Sequence, residues 1–130
     1  MENFEYYNPT RIVFGKGMIA QLVELVPKDT PLLMTYGGGS IKRNGVYNQT
    51  LAALDGFEVI EFGGIEPNPR YETLMKAVEL GNERKTGFLL SVGGGSVLDG
   101  TKFIAAAMCF PEGDPWDILT KSAPVTDAVP

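Results

Sequence analysis

The chain has 130 residues, enough for one compact domain and little more. Hydrophobic residues make up 44% and charged residues 21%, so a core can form and wholesale disorder is excluded. The formal charge of -5, with no basic run to offset it, excludes a nucleic-acid partner of the usual kind.

No apolar stretch approaches the roughly 20 residues of a membrane span. Met1-Glu2-Asn3-Phe4-Glu5 has no basic region leading into an apolar one, so it does not read as a signal peptide. Cys109 is the single cysteine, which rules out an internal disulfide and fits a cytoplasmic protein; it reads as a small apolar residue on a buried helix face. There is no histidine. Ser-His-Asp and Cys-His catalysis, and any metal site built on imidazole, are therefore excluded within this chain.

In chain order, residues 4–7 and 11–14 read as two short strands around the turn Asn8-Pro9-Thr10. Gly15-Lys16-Gly17 leads into residues 18–26, where Ile19, Leu22, Val23 and Val26 recur at helical spacing until Pro27 stops the helix. Residues 32–36 are a short apolar run, predicted as a buried parallel strand. Gly37-Gly38-Gly39-Ser40 follows, and then a helix over 46–54. Residues 57–62 alternate apolar with acidic side chains, as a strand near a sheet edge does. Gly63-Gly64-Ile65-Glu66-Pro67-Asn68-Pro69 is a loop. Residues 71–84 form the clearest helix, with Leu74, Met75, Val78 and Asn82 marking its face and end. Residues 88–92 are the next buried strand, and Gly93-Gly94-Gly95-Ser96 opens a helix over 97–109. Pro111-Glu112-Gly113-Asp114-Pro115 ends that helix. A short helix over 116–120, with Trp116 as a packing anchor, precedes an irregular tail over 121–130.

Strand and helix in this alternation require β-α-β crossovers and a parallel sheet. The expected class is α/β: a Rossmann-like parallel sheet flanked by helices, with an N-terminal two-strand extension. Ligands of such sheets bind beyond the carboxyl ends of the strands. Both Gly-Gly-Gly-Ser runs stand at such ends and can face one crevice. A glycine run lets the backbone approach a ligand closely, and its N–H groups with the following helix attract an anion. The chemistry suggested is a phosphate or pyrophosphate cradle. The competing reading is a permissive turn with a capping serine, Ser96 pairing with Asp99 in a capping-box-like arrangement. Two equivalent occurrences favour the cradle.

Other candidates carry less. Gly15-x-Gly17-x-x-Ala20 fits a loose dinucleotide fingerprint, but the next strand ends in glycines where an acidic residue is expected, so a tight turn is preferred. Asp99 and Lys102, three apart, are either an ion pair or ligand contacts, the ion pair being favoured. Lys42 and Arg43 are either solvated charge or partners of a ribose phosphate.

Four segments in order, Asn8 to Gly17, Tyr36 to Val46, Gly63 to Pro69 and Gly93 to Lys102, resemble the iron-containing (group III) alcohol dehydrogenases. Within them the likeness is to the NADPH-dependent butanol dehydrogenase and aldehyde reductase branch. The resemblance implies that residues 1–130 are an N-terminal NAD(P)-binding domain, incomplete at its C-terminus, with the helical metal-binding domain absent. It implies Gly93, Gly94, Gly95 and Ser96 on the cofactor pyrophosphate, Asp99 near the nicotinamide ribose, and Asn68 and Pro69 lining the cleft. NAD-preferring relatives carry an Asp after the second core strand. Here Gly37, Gly38, Gly39 and Ser40 stand there, which favours NADP(H) over NAD(H). The expected function is hydride transfer between NADP(H) and a small alcohol or aldehyde. A divalent metal, iron or zinc, would belong to the parent protein and not to this chain, which alone is expected to be inactive. The alternatives are a stand-alone nucleotide- or phosphate-binding module without catalysis, and a relative with different chemistry on the same scaffold. Relatives often pair their N-terminal strands across a dimer, so a homodimer or other self-association is expected.

Overall fold

The computed structural model describes residues 1–111 and 113–130; Glu112, expected in the turn after the last long helix, lies outside them. Its framework is a three-stranded parallel sheet in the order β2-β1-β3, with β1 (Leu32–Tyr36), β2 (Val59–Phe62) and β3 (Phe88–Val92). Leu33 pairs with Ile60 on one side and with Leu89 on the other. The central place of β1 follows from its side chains: Leu32, Leu33, Met34 and Thr35 are all 0% exposed, as a strand covered on both faces requires.

The pleat of β1 sorts the helices. Leu33 packs with Leu74, Ala77 and Val78 of α4 (Tyr71–Glu83) and with Val97, Phe103 and Ile104 of α5 (Gly95–Met108). Leu32 and Met34, on the other face, meet Val26, Leu54, Ile41 and Val46 from the segments around α1 (Leu22–Leu25), α2 (Ser40–Arg43) and α3 (Val46–Ala53). The result is helix, sheet, helix in three layers. The chain leaves β1 for one edge and, after β2, crosses to the other. The strand order therefore reverses between β1 and β3, where open α/β sheets hold their ligands.

Most predicted elements fall within two residues of their observed bounds, and the differences have local causes. Residues 4–7 and 11–14 are not strands. A strand needs a neighbour for its N–H and C=O groups, and among the described residues none comes alongside. Phe4, Tyr7, Ile12 and Phe14 are at least 81% exposed. The first helix is also weaker than its periodicity suggests. Gly17, at φ 76°, turns the chain into a single 3-10 turn over Met18–Gln21 that passes into the one-turn α1. Val26 is already extended ahead of Pro27.

In α4 the buried place near the C-terminus belongs to Gly81, and Asn82 is exposed. A Cβ on Gly81 would come within 2.8 Å of Met108 Cε, so the end of the Met108 side chain lies over the glycine where α4 meets α5. α5 starts at Gly95, with Gly94 as its N-cap and no side-chain cap. Ser96 thus lies in the first turn and forms no capping box with Asp99. The short helix α6 (Trp116–Thr120) forms as expected. The tail is irregular but anchored: Leu89 N donates to Pro130 O at 2.7 Å, and Val129 N to Ala105 O at 3.1 Å. Among the described residues, no helix is long and apolar enough to cross a membrane.

Candidate functional site

The two glycine-rich loops leave β1 and β3, neighbouring parallel strands, and so emerge side by side. Gly37, Gly38 and Ser40 from the first and Gly94, Gly95 and Ser96 from the second line one crevice of about 230 Å³, closed by Ile65, Pro67 and Val97. Ile65 and Pro67 were not anticipated, and the reason they arrive is main-chain. Gly64 N donates to Gly37 O at 3.0 Å and Ile65 N to Tyr36 O at 3.2 Å, which stitches the loop after β2 to the end of β1. Glu66 braces the same loop from behind. It accepts from Thr73 Oγ1 at 2.6 Å, and that hydrogen bond holds its carboxyl below the usual range.

The glycines of these loops are not equivalent. A Cβ on Gly93 would come within 2.7 Å of Val97 Cγ2, and one on Gly37 within 3.3 Å of Ile65 O. Those two are glycine because the fold is tight there. At Gly38, Gly94 and Gly95 a Cβ would meet nothing within 4 Å, and none of the three has a positive φ. Neither packing nor backbone conformation asks for glycine at these three places, and all three open on the crevice.

Behind the crevice two buried hydroxyls tie α5 to β1. Thr101 Oγ1 lies 2.6 Å from Val97 O and 2.6 Å from Thr35 Oγ1. A hydroxyl has one proton. Thr101 donates it to Val97 O, so Thr35 is the donor to Thr101. The pair fixes the first turns of α5 against the end of β1, and with them the spacing of the two loops.

A second hollow of about 360 Å³ adjoins the first and shares Gly37 and Gly38 with it; Tyr36, Gly39, Lys42, Gly63 and Gly64 complete its wall. Tyr36 and Tyr47 donate to the two oxygens of Glu61 at 3.3 and 3.0 Å, and the Glu61 bond raises the pKa of the Tyr47 phenol. Sequence reasoning singled out Lys42 and missed both tyrosines, because Tyr47 joins Lys42 only through the turn at Asn44 and Gly45. There Val46 N donates to Asn44 Oδ1 at 3.1 Å and Gly45 adopts φ 84°.

A third hollow, of about 460 Å³, has Pro69, Tyr71, Asp99, Gly100, Phe103 and Trp116 in its wall. Tyr71 donates to Asp114 Oδ1 at 2.7 Å, and Trp116 N donates to the same oxygen at 2.9 Å. The Tyr71 hydrogen bond keeps the Asp114 carboxyl below its usual range and pushes the phenol up. Trp116, expected as a packing anchor, stands edge-on to Tyr71 at 4.9 Å but stays 44% exposed, outside the core clusters.

The predicted site residues are thus partly gathered. Gly37, Gly38, Ser40, Gly94, Gly95 and Ser96 share the first crevice and Gly39 lies in the second. Asp99 and Pro69 belong to the third, and Asn68 stands exposed beside it at φ 55°. Gly93 is not in the wall of the first crevice; it lines a separate hollow that Phe14 and Met18 also border. Asp99 and Lys102 form no ion pair; among the described residues the only one is Lys121–Asp117. The interval of three residues puts them on one face, but both are exposed and solvent satisfies each separately. Gly17 and Ala20 line a groove away from the crevice, so the fingerprint they suggest is a turn. Cys109 is partly buried at the end of α5, and burial pushes its thiol pKa up, away from the nucleophilic form. Among the described residues no group of three or more His, Cys, Asp or Glu could hold a metal.

Known proteins are similar to this chain in sequence and in fold. Over the whole chain the sequence is 61% identical to the NADPH-dependent aldehyde reductase YqhD of Escherichia coli K12, and the chain covers 34% of that protein. It is 50% identical, again over its whole length and 34% of the relative, to the probable NADH-dependent butanol dehydrogenase 2 of Bacillus subtilis 168. A solved structure of YqhD, in a form free of substrate and cofactor, superposes with a TM-score of 0.95 at 60% identity; it is matched over 99% of this chain and 34% of that one. The chain therefore spans about a third of the length of the curated relatives it matches. The family description that fits residues 9–130 is iron-containing alcohol dehydrogenase. With sequence and overall fold agreeing over that span, this chain belongs to the iron-containing alcohol dehydrogenase family.

Proposed function

We propose that this chain is the dinucleotide-binding part of an NADP(H)-dependent alcohol dehydrogenase or aldehyde reductase. One observation carries the reading. Gly38, Gly94 and Gly95 share a crevice at the switch point of the sheet, and nothing in the fold requires them to be glycine. Glycine in a folded chain carries an entropic cost, so three such positions on one surface point to a backbone that a ligand must approach closely. The N–H groups of the first turn of α5 have no partners within the helix, and its residues Gly95, Ser96 and Val97 line the crevice, which suits a pyrophosphate.

In this reading the residues bind and orient. Gly94, Gly95 and Ser96 receive the pyrophosphate, and Gly37, Gly38, Gly39 and Ser40 receive the adenosine side. The dinucleotide, when bound, supplies hydride exchange with a small alcohol or aldehyde. Asp99, Pro69 and Asn68 lie towards the third hollow, a place suited to the nicotinamide end. The relatives' names differ in the coenzyme, so the NADP(H) preference rests on this chain's own residues. Ser40 and the glycines offer no carboxylate to repel a 2′-phosphate.

Titration of the protein with NADPH and NADH tests the proposal. Tighter binding of NADPH is expected, as is a shift towards NADH in Ser40→Asp. Binding of neither dinucleotide would sink it. We also infer that the protein works in the cytoplasm, consistent with its single cysteine, and that it self-associates through the exposed aromatic residues 4–14. A monomer by sedimentation at high concentration would count against the latter.

A further inference from the structure

The first glycine loop borders two hollows, and a pyrophosphate needs only one. The second has a single charged residue in its wall, Lys42, and no carboxylate. The Lys42 ammonium lies 5.3 Å from the centroid of the Tyr36 ring and 4.8 Å from that of Tyr47. Both distances are within the roughly 6 Å over which a ring face attracts a cation.

The rings are themselves fixed. They meet edge to face at 6.0 Å, and their hydroxyls are tied to Glu61. The Tyr36 ring also occupies the place a Cβ on Gly63 would take, so that glycine is what seats it. Glu61 gives its oxygens to the phenols and does not pair with Lys42; the only ion pair among the described residues is elsewhere. The cluster therefore holds a cation without a direct ion pair over two rings beside the glycine loop, with the Glu61 carboxylate on the far hydroxyls of those rings. A free lysine would lose side-chain freedom on meeting a ligand, whereas here much of it is already gone.

We propose that Lys42 is a specificity-determining residue of the dinucleotide site, with its ammonium receiving the ribose 2′-phosphate that separates NADP(H) from NAD(H). Tyr36 and Tyr47 are its positioning residues. The inference rests on the dinucleotide reading of the first crevice and adds to it a cationic anchor and an aromatic brace. Contiguity supports it: Gly37 and Gly38 belong to both hollows, so a ligand whose pyrophosphate lies in the first brings the adjoining ribose to the second.

The test titrates the protein and its variants with NADPH and with NADH, following nicotinamide fluorescence, with circular dichroism as a fold control. Lys42 is exposed, so Lys42→Gln should fold. Its ratio of NADPH to NADH affinity should fall by about tenfold, the loss of one charge-assisted contact to phosphate. Lys42→Arg should keep the ratio, because a guanidinium also stacks on aromatic rings and binds phosphate. Tyr47→Leu should lower the ratio by a smaller factor, since the cation stays but loses half of its brace. Lys76→Gln, an exposed charge change on α4, should leave the ratio alone. An unchanged ratio in Lys42→Gln, with both dinucleotides still bound, overturns the assignment of Lys42 and leaves the crevice standing. Failure of the unaltered protein to bind either dinucleotide overturns the crevice reading, and this inference with it.

Discussion

Gly95→Ala should make the protein more stable and a poorer binder. Gly95 is the first residue of α5, its φ is not positive, and a Cβ there meets no atom within 4 Å. The folded state therefore accepts a methyl group without strain. The unfolded chain loses freedom, which stabilises the fold by about 0.5–1 kcal/mol. For a domain of this size that is a rise of about 2–4 °C in Tm. The methyl projects into the space through which a ligand would reach the backbone, so affinity for NADPH should fall by about tenfold or more, close to 1.4 kcal/mol.

Gly93→Ala is the comparison. There the Cβ would lie 2.7 Å from Val97 Cγ2, an overpacking that costs about 1–3 kcal/mol and lowers Tm. Thermal melts by circular dichroism and dinucleotide titration read both quantities on both variants. Opposite shifts in Tm with weakened binding in Gly95→Ala are expected. An unchanged affinity in a folded Gly95→Ala protein would refute the reasoning, for the glycine would then be an ordinary turn residue.

Two further outcomes follow from the hydrogen bonds. Thr101→Val leaves the Thr35 hydroxyl, 0% exposed, without its acceptor and should cost about 1–3 kcal/mol, whereas the double variant Thr35→Val/Thr101→Val should recover part of that; additive losses in urea titrations would mean that the two hydroxyls are not coupled. The Asp114 carboxyl is held low by the Tyr71 hydroxyl, so its stabilising effect is present above the ordinary carboxylate range and is lost as pH falls through the depressed value. Trp116, the single tryptophan, should report the release as a fluorescence change on acidification that Asp114→Asn removes.

The sequence by itself determined the class of this protein and the order of its elements. The apolar run of β1, the alternation before Phe62 and the amphipathic period of α4 are local signals, set by which side chains can face a core at each residue spacing. The paired Gly-Gly-Gly-Ser loops were legible for the same reason, and the ordered motifs around them carried the family. What the tertiary structure decided is everything that depends on neighbours distant in the chain. Residues 4–7 and 11–14 have β composition, yet pairing requires a partner strand, and no described residue supplies one. Periodicity gave Gly93 and Gly94 the same standing, but only the position of Val97 shows that one is glycine for packing and the other is free of that need. Asp99 and Lys102 share a helix face without meeting, since nothing but exposed rotamers links them. For Lys42 the sequence leaves solvated charge and a ribose-phosphate partner both open, and only the fold sets Tyr36, Tyr47 and Gly63 around it, because cation–π contact depends on ring positions that strand register and the turn before α3 establish.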